Sequence, residues 1–129
     1  MDWATATFFD RVIHSLWLDP EQVRAKFDVA AISKRQSRSN KALIASWQAL
    51  APGSEAAVIE FDFHAAGNAK RKLMRRLNGH VLKRRGGFKL RSATPLQWLP
   101  DYALAYEIAA QTCGGTLAGW NYVPSPLNE

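Results

Sequence analysis

A chain of 129 residues with 47% apolar and 11% aromatic side chains has the size of one domain and enough apolar surface for one core. Its apolar runs fall far short of the ~20 residues a membrane span needs, and its single cysteine, Cys113, excludes an internal disulfide and a thiolate metal cluster. The net charge of +6 is concentrated: residues 64–100 contain no Asp or Glu, residues 92–129 contain no Lys or Arg, and ten cations fall between Ala69 and Arg91.

The opening stretch MDWATATFFDRVIHSLWL lacks the positive n-region and small-residue cleavage site of a secretory leader, which gives a cytoplasmic address as the expectation. Phe8, Phe9, Val12, Ile13, Leu16 and Trp17 recur at helical spacing and predict a first helix over about 4–18, with Trp17 in the core. Asp19-Pro20-Glu21-Gln22 supplies an N-cap and a proline at the first helical position, opening a short second helix with Val23 and Phe27 inward. SKRQSRSN at 33–40 has no apolar anchor and reads as a basic connector. After it, Leu43, Ile44, Trp47 and Leu50 predict a third helix that ends at Pro52-Gly53, with Trp47 in the core.

AAVIEFDF at 56–63 alternates, Val58, Glu60 and Asp62 against Ile59, Phe61 and Phe63, the period of a half-buried strand. Residues 68–78 return to helical spacing, with Leu73 and Leu77 inward and Lys70, Arg71, Arg75 and Arg76 outward. Two readings stand for residues 79–92. Either the helix runs on through Val81 to a cap at Gly86-Gly87, or it stops at Asn78-Gly79 and a hairpin turns at Gly86-Gly87. LQWL, between Thr94-Pro95 and Pro100-Asp101, is a short strand or a turn. Asp101 is expected to cap a last helix ended by Gly114-Gly115; TLAGWNYV closes the domain as a strand and PSPLNE is a frayed tail. This order predicts an α+β fold, a ferredoxin-like βαβ(β)αβ sandwich over 54–129 with a helical N-terminal extension over 1–53 packed on it as one cooperative unit.

Like charges as dense as those at 69–91 either spread over a solvated face or meet an anionic partner. The candidate binding residues are Lys70, Arg71, Arg75, Arg76, Lys83, Arg84, Arg85, Lys89 and Arg91, with Trp98 and Trp120 as apolar anchors. Two partner classes suit them: a protein with an acidic surface, or the phosphates of RNA or DNA. VIEFDF and RGGFKL loosely resemble the two motifs of an RNA-recognition module, but Phe61, Phe63 and Phe88 read more simply as core. Asp62 and His64, two apart on one strand, form the residual hydrolytic pair. His14, His64 and His80 lack metal-ligand spacing and neither Gly-Gly pair belongs to a phosphate loop, so no metal, cofactor or catalytic residue is expected. Cys113 reads as a small buried apolar residue.

A strand, a helix leading to RRGGFKLR, a Trp-containing segment before an alanine-rich helix, and then CGGTLAGWNYV make residues 56–123 resemble the ribonuclease E inhibitor family, the regulators of ribonuclease activity of type B. In that family a Gly-Gly or similar pair ends the last helix and the next strand carries Tyr-Asp-Gly-Trp. Gly114, Gly115, Gly119 and Trp120 match, while Leu117 and Ala118 stand at the Tyr and Asp positions, and this chain is basic where members are typically acidic. The resemblance implies a non-catalytic regulatory or inhibitory protein that binds a larger protein, such as a nuclease or another factor of nucleic-acid metabolism, here through a basic surface. The alternative is a nucleic-acid-binding protein using the same residues.

Overall fold

The computed structural model describes residues 3–124, so the expected frayed tail, Pro124 apart, lies outside the described residues. Helix α1, Phe8–Ser15, starts at a capping box in which Thr7 and Asp10 each bond the other's backbone N–H. It is shorter than the apolar stripe suggests. Helix α2, Pro20–Lys26, is capped by Asp19, whose Oδ1 accepts from the Glu21 N–H at 3.0 Å. Helix α3, Val29–Leu50, is continuous and passes straight through the stretch expected to be a connector. There the inward side chains are polar: Gln36 Nε2 donates to the Ala103 carbonyl at 3.2 Å and to Glu107 Oε1 at 3.0 Å, and Asn40 Oδ1 accepts from Trp120 Nε1 at 2.8 Å. A seam of hydrogen bonds replaces the missing apolar anchors, and the exposed Arg35 pairs with the buried Glu107 at its rim.

Strand β1, Ala56–His64, buries Ala57, Ile59, Phe61 and Phe63 on one face, as its alternation predicts. Helix α4, Gly67–Arg76, buries Leu73. The hairpin is the correct reading of 79–92: β2, His80–Arg84, pairs antiparallel with β3, Gly87–Pro95. Its two-residue turn is Arg85-Gly86, one position earlier than expected, with Gly86 at φ 75°. Gly87 instead lies in β3 beside β1, where a Cβ would come within 2.1 Å of the Phe63 carbonyl oxygen, so only glycine allows the two strands this approach. LQWL forms a 3-10 turn, Leu96–Trp98, leading into α5, Leu99–Cys113; Asp101 falls inside the first turn of α5 and does not cap it. Gly114 closes α5 at φ 93°, and β4, Thr116–Tyr122, follows.

The four strands form one open antiparallel sheet in the order β2-β3-β1-β4. The fold is therefore α+β, with five α-helices among the described residues. Helix α5 is at the centre of the helical layer, with α1, α3 and α4 packed against it, which is why it is apolar nearly all round. Phe61 meets Tyr106 edge-on at 4.8 Å and Phe63 stacks on Phe88 at 4.9 Å between sheet and helix. Burial pushes the Tyr106 hydroxyl up to about 12, helped by the neighbouring Tyr102. Side chains from α1, α3, the sheet and α5 share one hydrophobic cluster. Among the described residues no helix is long and apolar enough to cross a membrane.

Candidate functional site

The cations between Lys70 and Arg91 do not make one surface, because helix and hairpin aim them in different directions. On the uncovered face of the sheet, the register sets Asp62 opposite Lys89 and Glu60 opposite Arg91. The side chains pair as that register and its diagonals allow. Arg84 Nε and Nη2 donate to Asp62 Oδ1 at 3.2 and 2.7 Å, Lys89 Nζ lies 3.1 Å from Glu60 Oε1, and Arg91 Nε donates to Glu60 Oε2 at 2.8 Å. Burial pushes the Glu60 carboxyl up, but the hydrogen bonds and charges of Arg91 and Lys89 outweigh it and hold Glu60 below the usual range. Arg84, Lys89 and Arg91 are thus paired with the protein's own carboxylates. Arg76 is engaged elsewhere, since its Nη1 donates to the Leu16 and Trp17 carbonyls, each at 3.1 Å, tying the end of α4 to the end of α1.

The remaining cations gather along one edge. With Leu73 in the core, α4 turns Arg71, Lys72 and Arg75 to solvent. Lys83 stands opposite Phe88 and so projects to the helix side of β2. Lys70, Arg71, Arg75 and Lys83 surround Met74 in a depression of about 430 Å³, and Arg85 is exposed in the adjoining turn. Lys70 Nζ donates to the Arg84 carbonyl at 2.9 Å and Arg71 donates to Asn68 Oδ1, both neutral acceptors. Among the described residues, no carboxylate is within ion-pair distance of Lys70, Arg71, Lys72, Arg75, Lys83 or Arg85.

Trp17 is corrected from core to surface. The Trp17 N–H bonds the His14 carbonyl at 3.0 Å and the Leu18 N–H bonds the Ile13 carbonyl at 3.2 Å, the paired bonds of a Schellman stop. Trp17 occupies the left-handed position of that stop at φ 62°, a place usually held by glycine, at a cost of about 1–2 kcal/mol. Its side chain leaves the apolar stripe and is 69% exposed, and with Lys72, Arg75, Arg76, Thr112 and Cys113 it lines a second depression of about 290 Å³. The sequence did hold a signal for this. Asp19-Pro20 opens the next helix and holds Asp19 extended, which leaves only Leu16–Leu18 to reverse the chain between α1 and α2.

The two expected anchors are used inside the fold. Trp98 stacks on Phe8 with ring centroids 4.1 Å apart, Trp120 bonds Asn40, and neither lines the depressions beside α4. Trp47 is half-buried against Tyr122, and Cys113 is half-buried rather than buried. Phe61, Phe63 and Phe88 are fully buried, so the open sheet face has no Phe, Tyr or Trp among its described strand residues. Asp62 is committed to Arg84, and no hydrogen bond joins it to His64 among the described residues. His14, His64 and His80 lie in α1, β1 and β2, and among the described residues no group of three His, Cys, Asp or Glu is placed to hold a metal ion. No protein-family model, curated protein or solved structure matches the chain.

Proposed function

We propose that this chain is a binding protein rather than an enzyme, that its working surface is the edge formed by α4 and the β2–β3 turn, and that this edge grips the phosphates of a nucleic-acid strand. One observation carries the reading: six cations of that edge have no carboxylate partner among the described residues, whereas those of the sheet face do. Unpaired Lys and Arg gain most from an anionic partner, and each phosphate they meet releases a counterion, so that affinity falls with salt by about 0.7 log units per log unit for each contact on a single strand. Trp98 and Trp120, the anchors a larger protein would need, are engaged internally, which favours phosphates over a protein surface.

A 2-3-1-4 antiparallel order with α4 and α5 as the two connecting helices agrees with a ferredoxin-like sandwich, the arrangement we adopt. The likeness to ribonuclease E inhibitors supports a second reading, a regulator that covers an acidic surface of a larger protein. Its specific support is that β2 is an edge strand, open to an extended acidic segment that would meet Lys83 and Arg85. Binding of a single-stranded oligonucleotide and of polyglutamate, each at low and high salt, separates the two. Micromolar oligonucleotide affinity that weakens steeply with salt is the expected result; binding of polyglutamate alone would transfer the edge to the second reading.

A further inference from the structure

We propose that Trp17 makes the cationic edge selective for single strands, by stacking an unpaired base beside the cations that hold the backbone; this rests on the phosphate-binding reading above. Three depressions adjoin because they share lining residues. Arg75 lines both the one around Met74 and the one at Trp17, and Trp17 lines a third of about 520 Å³ together with Trp3 and His14. A path therefore runs from Lys83 over Arg75 to Trp17 and on to Trp3. Its first half is lined by cations around Met74, and its second half by the rings of Trp17, Trp3 and His14 together with Leu18, Asp19 and Pro20. Trp17 is 69% exposed and Trp3 42% exposed, the latter edge-on to His14 with centroids 4.7 Å apart.

The build of the turn suits a stacking platform. Arg76 holds the Leu16 and Trp17 carbonyls, so the backbone is fixed while the indole stays free. A large aromatic side chain at a left-handed position, turned to water, is costly in strain and in exposed apolar area, and it lines one depression with Lys72 and Arg75 and another with Trp3, Leu18 and Pro20. Single-strand sites combine these two elements: cations that follow the backbone and rings that take the base faces. A duplex hides its base faces, and an acidic peptide has none to offer. Either would use the cations and leave Trp17 idle.

The test measures binding of a short oligothymidylate, a duplex and an abasic phosphodiester chain of equal length, and polyglutamate, to the wild type, Trp17→Gly and Trp17→Phe. Glycine relieves the strain at φ 62°, so Trp17→Gly should melt no lower than the wild type. The wild type should hold the oligothymidylate about tenfold tighter than the abasic chain, Trp17→Gly should remove that difference without changing abasic binding, and Trp17→Phe should keep most of it. Equal binding of oligothymidylate, abasic chain, duplex and polyglutamate, unchanged by Trp17→Gly, overturns the stacking role and leaves the cationic edge standing. Failure of every polyanion to bind at low salt removes both.

Discussion

The open sheet face and the α4 edge draw their cations from the same run of sequence and put them to opposite uses. On the sheet face, β1 carries Glu60 and Asp62 into the positions opposite Arg91 and Lys89, so antiparallel register neutralises the charge. On the edge, no carboxylate of the described residues comes within ion-pair distance of the outward cations of α4 and the turn, and the charge stays free. A charge run in sequence is thus not a charged surface. What matters is which other strand or helix the fold lays across it, and an acidic strand distant in the chain can cancel much of it.

The largest effect that separates the two regions should come from the edge itself. Replacing Arg71, Arg75, Lys83 and Arg85 together by Ser is expected to weaken single-strand binding roughly a hundredfold at low salt, with the melting temperature unchanged, because exposed unpaired cations add little to stability. Fluorescence anisotropy and a thermal melt read both outcomes. Gly87→Ala attacks the hairpin that keeps the regions apart: a Cβ 2.1 Å from the Phe63 carbonyl must push β3 from β1, and a loss of roughly 2 kcal/mol in a denaturant titration is expected. Glu60→Gln blurs the comparison from the other side. It breaks the ion pairs to Lys89 and Arg91 and releases Lys89, so stability should fall by about 1 kcal/mol while polyanion affinity rises about twofold.

The smallest effect is a pH dependence. The folded pKa of Glu60 lies below its ordinary value of 4.5, so its ion pairs contribute fully above that value and the contribution is lost as pH falls through the lower, folded value. The acid limb of a stability profile below about pH 4.5 should accordingly be shallower in Glu60→Gln than in the wild type.

Much of the fold was legible because apolar periodicity reports burial directly. The alternation of β1, the Asp19-Pro20 start of α2 and the Gly114 stop of α5 stand where the sequence puts them. Helix α3 was not legible at 33–40, because Gln36 and Asn40 are buried through hydrogen bonds, and hydrogen bonds leave no hydrophobic period. The site was legible only as a composition. The ten cations can be counted in the chain, but the pairing of Arg84, Lys89 and Arg91 depends on register across strands, and the clamp made by Arg76 depends on a contact 60 residues away. Trp17, Trp98 and Trp120 exchanged roles for a similar reason: a helix that ends three residues early turns Trp17 off its apolar stripe, and Trp120 finds a partner in the stretch of α3 that the sequence did not reveal.

The salt dependence of single-strand binding tests the cationic edge most directly. For the wild type, log affinity against log salt should have a slope of about −3 to −4, and the Arg71, Arg75, Lys83 and Arg85 substitution should flatten it to about −1, while Lys89→Ser and Arg91→Ser leave it nearly unchanged. A slope near zero, or one that the sheet-face substitutions flatten and the edge substitutions do not, would contradict the assignment of the free charge to α4 and the turn.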